Sequence, residues 1–163
     1  MARALLVGCG CCAREAGSIL LERGWAVRGT SRSAEGLEAI AAAGIESAEA
    51  DPDRVGTLTL LLGDVTVVAW LLGGIPADPE QLRRLNDERL ESMLAALVDT
   101  PVRGFVYEAL PGSGARAPGP GEALVEDAAS RWRIPTRTVA AERAQPSAWA
   151  AGVADAVAAV VGL

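Results

Sequence analysis

The chain has 163 residues, half of them hydrophobic but only 4% aromatic, so its core is built mainly from Ala, Val and Leu with four Trp as large fillers. A formal charge of −6 opposes any general attraction to nucleic acid or to an anionic membrane. There is no His, which removes the commonest general base and metal ligand, and all 15 basic residues are Arg. The length suits one domain over residues 1–163. No segment is long and apolar enough to span a bilayer, and the N-terminus lacks a secretory pattern, so the expected location is cytoplasmic.

Strand-like and helix-like stretches alternate six times. Ala2–Val7 reads as a buried strand and Cys12–Arg23 as its helix. A second strand at Trp25–Thr30 leads to a helix at Ser33–Ala43, with Ser33 as N-cap and Gly44 as stop. The third strand is Ile45–Ala50, and Pro52 opens a helix to about Leu62. The fourth is Val65–Leu72, closed by Gly73-Gly74 and followed by one long helix over Pro79–Val98. Leu82, Leu85, Met93, Leu94 and Leu97 give that helix an apolar stripe that docks on the sheet, and any excess could serve a homodimer. The fifth strand is Gly104–Ala109, and a Gly- and Pro-rich loop, a lid or plain solvent loop, runs from Leu110 to Gly121. A helix at Glu122–Trp132, a sixth strand at Pro135–Val139 and a helix at about Pro146–Val161 complete the chain.

Apolar strands separated by helices imply a parallel sheet covered on both faces. Six such units predict an α/β, doubly wound Rossmann fold with strand order 3-2-1-4-5-6. Within it, Gly8-Cys9-Gly10-Cys11-Cys12-Ala13 forms a Gly-x-Gly-x-x-Ala turn between a strand and a helix, the layout of a dinucleotide-binding unit. Gly8 permits the tight turn, Gly10 lets the backbone approach a pyrophosphate, and Ala13 lets helix and strand pack closely. The helix N-terminus offers free N–H groups to phosphate. The alternative is a Rossmann-like turn that binds nothing.

Ser31-Arg32 ends the second strand, where an NAD site places a carboxylate for the ribose 2′-hydroxyl. An Arg there suits a 2′-phosphate, so NADP (NADPH) is the expected cofactor, with NAD possible and a solvated Arg the alternative. Cys9 and Cys12 have a Cys-x-x-Cys spacing at a helix start, which favours thiolate, although small apolar packing is the commoner use. Too few ligands exist for a metal site. Tyr107 and Glu108 are the titratable groups nearest the expected nicotinamide end, and on a strand they point to opposite faces. They are weak catalytic candidates.

Leu5–Arg32, LLVGCGCCAREAGSILLERGWAVRGTSR, resembles the N-terminus of the atypical and extended short-chain dehydrogenase/reductases, including nucleotide-sugar epimerase-like proteins. The resemblance implies that Asp51 lies against the adenine, that Leu72 and Gly73 pass the nicotinamide-side ribose, and that Gly104–Tyr107 is the strand leading to a catalytic Ser. The chain departs from the family where chemistry is done. The family's Tyr-x-x-x-Lys cannot exist without Lys, and Glu108-Ala109-Leu110 stands where the Ser would follow. The resemblance also implies a substrate-binding C-terminal extension, which these 163 residues are not expected to include. The expectation is therefore a cofactor-binding or sensing module with its catalytic machinery reduced. Two alternatives stand beside it: a small NADPH-dependent oxidoreductase that only orients its cofactor against a small-molecule substrate, and a ligand-free scaffold or oligomer subunit.

Overall fold

A computed structural model describes residues 1–111 and 119–162. The segment 112–118, which holds most of the loop read as a possible lid, lies outside the described residues. Six parallel strands pair in the order β3-β2-β1-β4-β5-β6, the doubly wound order expected. They are β1 (Arg3–Val7), β2 (Ala26–Ser31), β3 (Glu46–Glu49), β4 (Val67–Trp70), β5 (Gly104–Ala109) and β6 (Thr136–Ala140).

Alternation along the central strands divides the core in two. Leu5 and Val7 of β1, Trp70 of β4, and Phe105 and Tyr107 of β5 pack on one face. Ala4 and Leu6, with Val67, Ala69 and Val106, pack on the other. Burial on both faces explains why β1, β4 and β5 read as unbroken apolar runs, whereas the edge strand β3 is largely exposed.

The helices are α1 (Cys11–Glu22), α2 (Ala34–Ala42), α3 (Val55–Thr59), α4 (Pro79–Leu85), α5 (Glu88–Ala96), α6 (Pro120–Trp132) and α7 (Pro146–Val160). Helix α2 has the expected cap, Ser33 Oγ accepting from Gly36 N–H at 3.0 Å. Helix α7 buries Trp149, Val153, Val157 and Val160 beside α1 and over β5 and β6.

Two helices differ from expectation for local reasons. The long helix over 79–98 is two helices and a 3-10 turn at Leu97–Asp99, because Asn86 interrupts it. The Asn86 side chain donates to Leu82 O at 2.8 Å and accepts from the Tyr107 hydroxyl at 2.7 Å, and Asp87 leaves helical geometry with φ −133° and ψ −96°. Helix α3 begins at Val55 rather than Pro52, because Asp51 and Thr57 close a turn first. There Asp51 N–H donates to Thr57 Oγ1 at 2.9 Å, and Asp51 Oδ1 accepts from Asp53 N–H at 2.9 Å. Among the described residues, no helix is long and apolar enough to cross a membrane.

Candidate functional site

A cleft of about 400 Å³ opens beyond the C-terminal ends of β1, β2 and β4, where β1's neighbours lead away in opposite directions. Open α/β sheets bind their ligands at this switch point. Gly8 and Gly10 form its floor. Gly8 has φ +87°, and a Cβ there would lie 2.6 Å from Leu71 O, so the turn between β1 and α1 requires glycine. Gly10 is the N-cap of α1, in extended geometry, and a Cβ there would meet nothing within 4 Å. The open space belongs to the cleft.

The start of α1 has no side-chain cap and no acidic residue in its first turn. Its first α-helical bond runs from Arg14 N–H to Gly10 O at 2.9 Å. The amides of Cys11, Cys12 and Ala13 therefore have no i−4 acceptor in the helix, and they carry the positive end of its dipole. Ala13 is fully buried, Cys11 is exposed, and Cys12 is half-buried against the core.

Cys9 points the other way. It is buried, and its Sγ lies 2.6 Å from where a Cβ on Gly29 of β2 would be. Burial pushes its thiol up to about 12, with Arg14's nearby charge opposing. Such a thiol stays protonated and packs as a small apolar group.

Ser31 and Arg32 form the β2 wall. Arg32 is exposed, Arg14 in α1 is half-buried in the same cleft, and neither guanidinium has a carboxylate or hydrogen-bond partner among the described residues. Among the described residues, no Asp or Glu lines the cleft. A chain of net charge −6 thus presents a wall with two unneutralised cations. Arg14 escapes the sequence motif because the pattern ends at Ala13. The available signal was its place in the first turn of α1.

Leu72 lines the cleft opposite, with Ile75 and Pro76. Gly73 does not, and neither does Asp51, although Ala50 and Pro52 on either side of Asp51 do. Gly73 packs instead on β5, where a Cβ would sit 2.6 Å from Glu108 O.

The two titratable groups of β5 face opposite sides, and both are fully engaged. Glu108 has no exposure and accepts from Gly73 N–H at 2.9 Å, Gly74 N–H at 3.0 Å, Arg143 Nε at 2.9 Å and Arg143 Nη2 at 2.6 Å. Arg143, just beyond β6, also donates to Leu71 O at 3.1 Å and stacks 4.4 Å over the Trp149 ring. This group ties the turn after β4 to β5 and α7. Tyr107 is 1% exposed, its hydroxyl is held by Asn86, and burial raises its phenol well above the ordinary value. Neither group is free to take a proton from a substrate. No cluster of three potential metal ligands occurs among the described residues.

No protein-family description matches the sequence, and no curated protein does. Solved structures do match in shape. A short-chain dehydrogenase/reductase family protein aligns over 99% of this chain and 92% of its own, with TM-score 0.73 and 18% identity. UDP-glucuronic acid 4-epimerase from Bacillus cereus, solved with NAD and a UDP-sugar, aligns over 85% of this chain with TM-score 0.63 and 15% identity. Yeast methylglyoxal/isovaleraldehyde reductase complexed with NADPH aligns over 86% with TM-score 0.62 and 15% identity. The chain spans only 55% of the epimerase and 54% of the reductase. The molecule has a Rossmann-type α/β fold similar to that of the short-chain dehydrogenase/reductases and their epimerase relatives.

Proposed function

We propose that the cleft binds a nicotinamide dinucleotide, NADP(H) in preference to NAD(H), and that the chain is a cofactor-binding or sensing module rather than an ordinary reductase. One observation carries this reading: at the sheet's switch point an uncapped helix N-terminus and two arginines face one cleft, and among the described residues the arginines have no partner and no acidic side chain lines the cleft. The residues present fit the group. Gly10 leaves open space for a pyrophosphate, the free amides at the start of α1 would donate to it, and Arg32, just after β2, would reach the adenosine ribose.

The nicotinamide ring would supply hydride chemistry, while the protein binds and orients it. The second half of the proposal follows from β5. Acid–base catalysis needs a group that can exchange a proton with the substrate and typically contributes a factor of about 10²–10⁴. Here Glu108 is consumed by Arg143 and two backbone amides, and Tyr107 by Asn86. Ordinary carbonyl reduction or sugar epimerisation is therefore not expected.

A thermal-shift comparison tests the binding half. At 100 times its dissociation constant a ligand stabilises the fold by about 2.7 kcal/mol, roughly 5–10 °C here. NADPH should produce such a shift at lower concentration than NADH. No shift with either dinucleotide at millimolar concentration removes the proposal.

A further inference from the structure

We infer that a second ligand site lies at the opposite edge of the sheet, and that it takes an organic carboxylate with an apolar body through Arg103 and Arg133. It does not depend on the dinucleotide reading. A cavity of about 550 Å³ opens at the N-terminal ends of β5 and β6. Arg103 precedes β5, Arg133 and Pro135 join α6 to β6, and Val160 and Val161 end α7. A smaller cavity of about 310 Å³ shares Arg103 and Val161 with it and reaches Met1 and Thr66. Arg103 thus stands between two hollows.

Three features define the ligand. Apart from Thr100 and the two arginines, the larger cavity is walled by apolar residues, among them half-buried Trp132 and exposed Val98. A hydrocarbon body would cover them. Neither guanidinium has a partner among the described residues, and no acidic side chain among them lines either cavity. A carboxylate matches such a fork bidentately. Finally, Arg133 has φ 55° and ψ 38°, the left-handed geometry in which helices commonly end on glycine. Among the described residues no other non-glycine has a positive φ. A long charged side chain kept at that position costs the fold stability, and a ligand contact accounts for its presence. The C-terminal ends of α6 and α7 reach the same cavity, and their dipoles favour cations there. Those dipoles explain two positive charges, but neither the apolar walls nor an arginine in left-handed geometry.

Titration calorimetry of octanoate against wild type, Arg133→Gly and Arg103→Ala tests the site. The controls are 1-octanol, a tail without the charge, and acetate, the charge without a tail. Octanoate should bind wild type at least about tenfold more tightly than either. Arg133→Gly should keep or raise the unfolding midpoint, because glycine accepts positive φ freely, and yet weaken octanoate by about tenfold. Arg103→Ala should weaken it by a similar factor. In a ¹H–¹⁵N spectrum the indole N–H of Trp132, assigned with Trp132→Phe, should shift with octanoate while the Gly8 and Gly10 amides stay in place. Shifts confined to Gly8 and Gly10 would put the anion in the other cleft and overturn the site. Unchanged octanoate affinity in both arginine variants, equal affinity for 1-octanol, or no binding to wild type would also overturn it. NADPH titration decides the dinucleotide reading separately, whichever of these results is found.

Discussion

The two ends of the sheet's ligand edge are built on opposite plans. Beyond β1 and β2 the α1 amides, Arg14 and Arg32 have no partner among the described residues. Beyond β4 and β5 the polar side chains are answered from within. Glu108 is shared by Arg143, Gly73 and Gly74, and the Tyr107 hydroxyl is held by Asn86. Unanswered cations beside an open helix end are what an anion completes, whereas a fully bonded carboxylate and phenol contribute to the fold. On the reading proposed above, the open end of the edge binds an anion and the closed end serves as structure.

Substitutions at the closed end should therefore cost stability and spare binding, and those at the open end the reverse. The largest effect is expected from Arg143→Ala. It leaves the buried Glu108 side chain without its ion pair, a loss of about 3–5 kcal/mol, measurable as a lower urea midpoint. A loss below about 1 kcal/mol would mean that the pair is not a structural lock.

Gly8→Ala comes next and lies where the two ends meet. An L-residue at φ +87° costs about 1–2 kcal/mol, and the added Cβ would press on Leu71 O. Both stability and NADPH affinity should fall, by about 2 kcal/mol for stability. Retained affinity with full stability would show that the turn tolerates a side chain.

Tyr107→Phe should cost about 1 kcal/mol, because Asn86 Oδ1 loses its donor in a buried site. NADPH affinity should stay within about twofold, a difference below 1 kcal/mol. A variant that loses turnover with a carbonyl acceptor while keeping its stability would return Tyr107 to a catalytic role.

The smallest effect concerns Cys9, which marks the border of the open end. Its thiol is raised from 9.0 to about 12 by burial, so the folded state holds a proton that the unfolded chain releases near pH 9. That contribution to stability is fully present below pH 9 and is lost progressively as pH rises toward 12. At pH 8 a thiol reagent should label exposed Cys11 quickly and Cys9 only on unfolding, read by peptide mapping. Rapid labelling of Cys9 would revive the Cys-x-x-Cys redox reading.

The sheet was legible because β1, β4 and β5 are buried on both faces and announce themselves as apolar runs. The turn between β1 and α1 was legible because glycine, glycine and alanine answer a local demand of the βα connection. What could not be read depends on partners distant in sequence. Glu108 and Arg143 are 35 positions apart and meet only because β5 and β6 are neighbours. Asn86 breaks the helix over 79–98 through Tyr107, 21 positions away, while Leu85 and Leu90 keep the apolar stripe running across the break. Arg14 was hidden by its company, one arginine among 15.

The most direct measurement is titration calorimetry of NADPH and NADH against wild type and Arg32→Ala, at low and high salt. A charge-assisted contact to a partly exposed phosphate contributes about 1.5–3 kcal/mol, roughly 10- to 150-fold. Wild type should prefer NADPH by about that factor, and the preference should shrink as salt rises. Arg32→Ala should lose most of the preference while its stability stays within about 0.5 kcal/mol of wild type. Equal affinities for NADPH and NADH in the wild type would contradict the account.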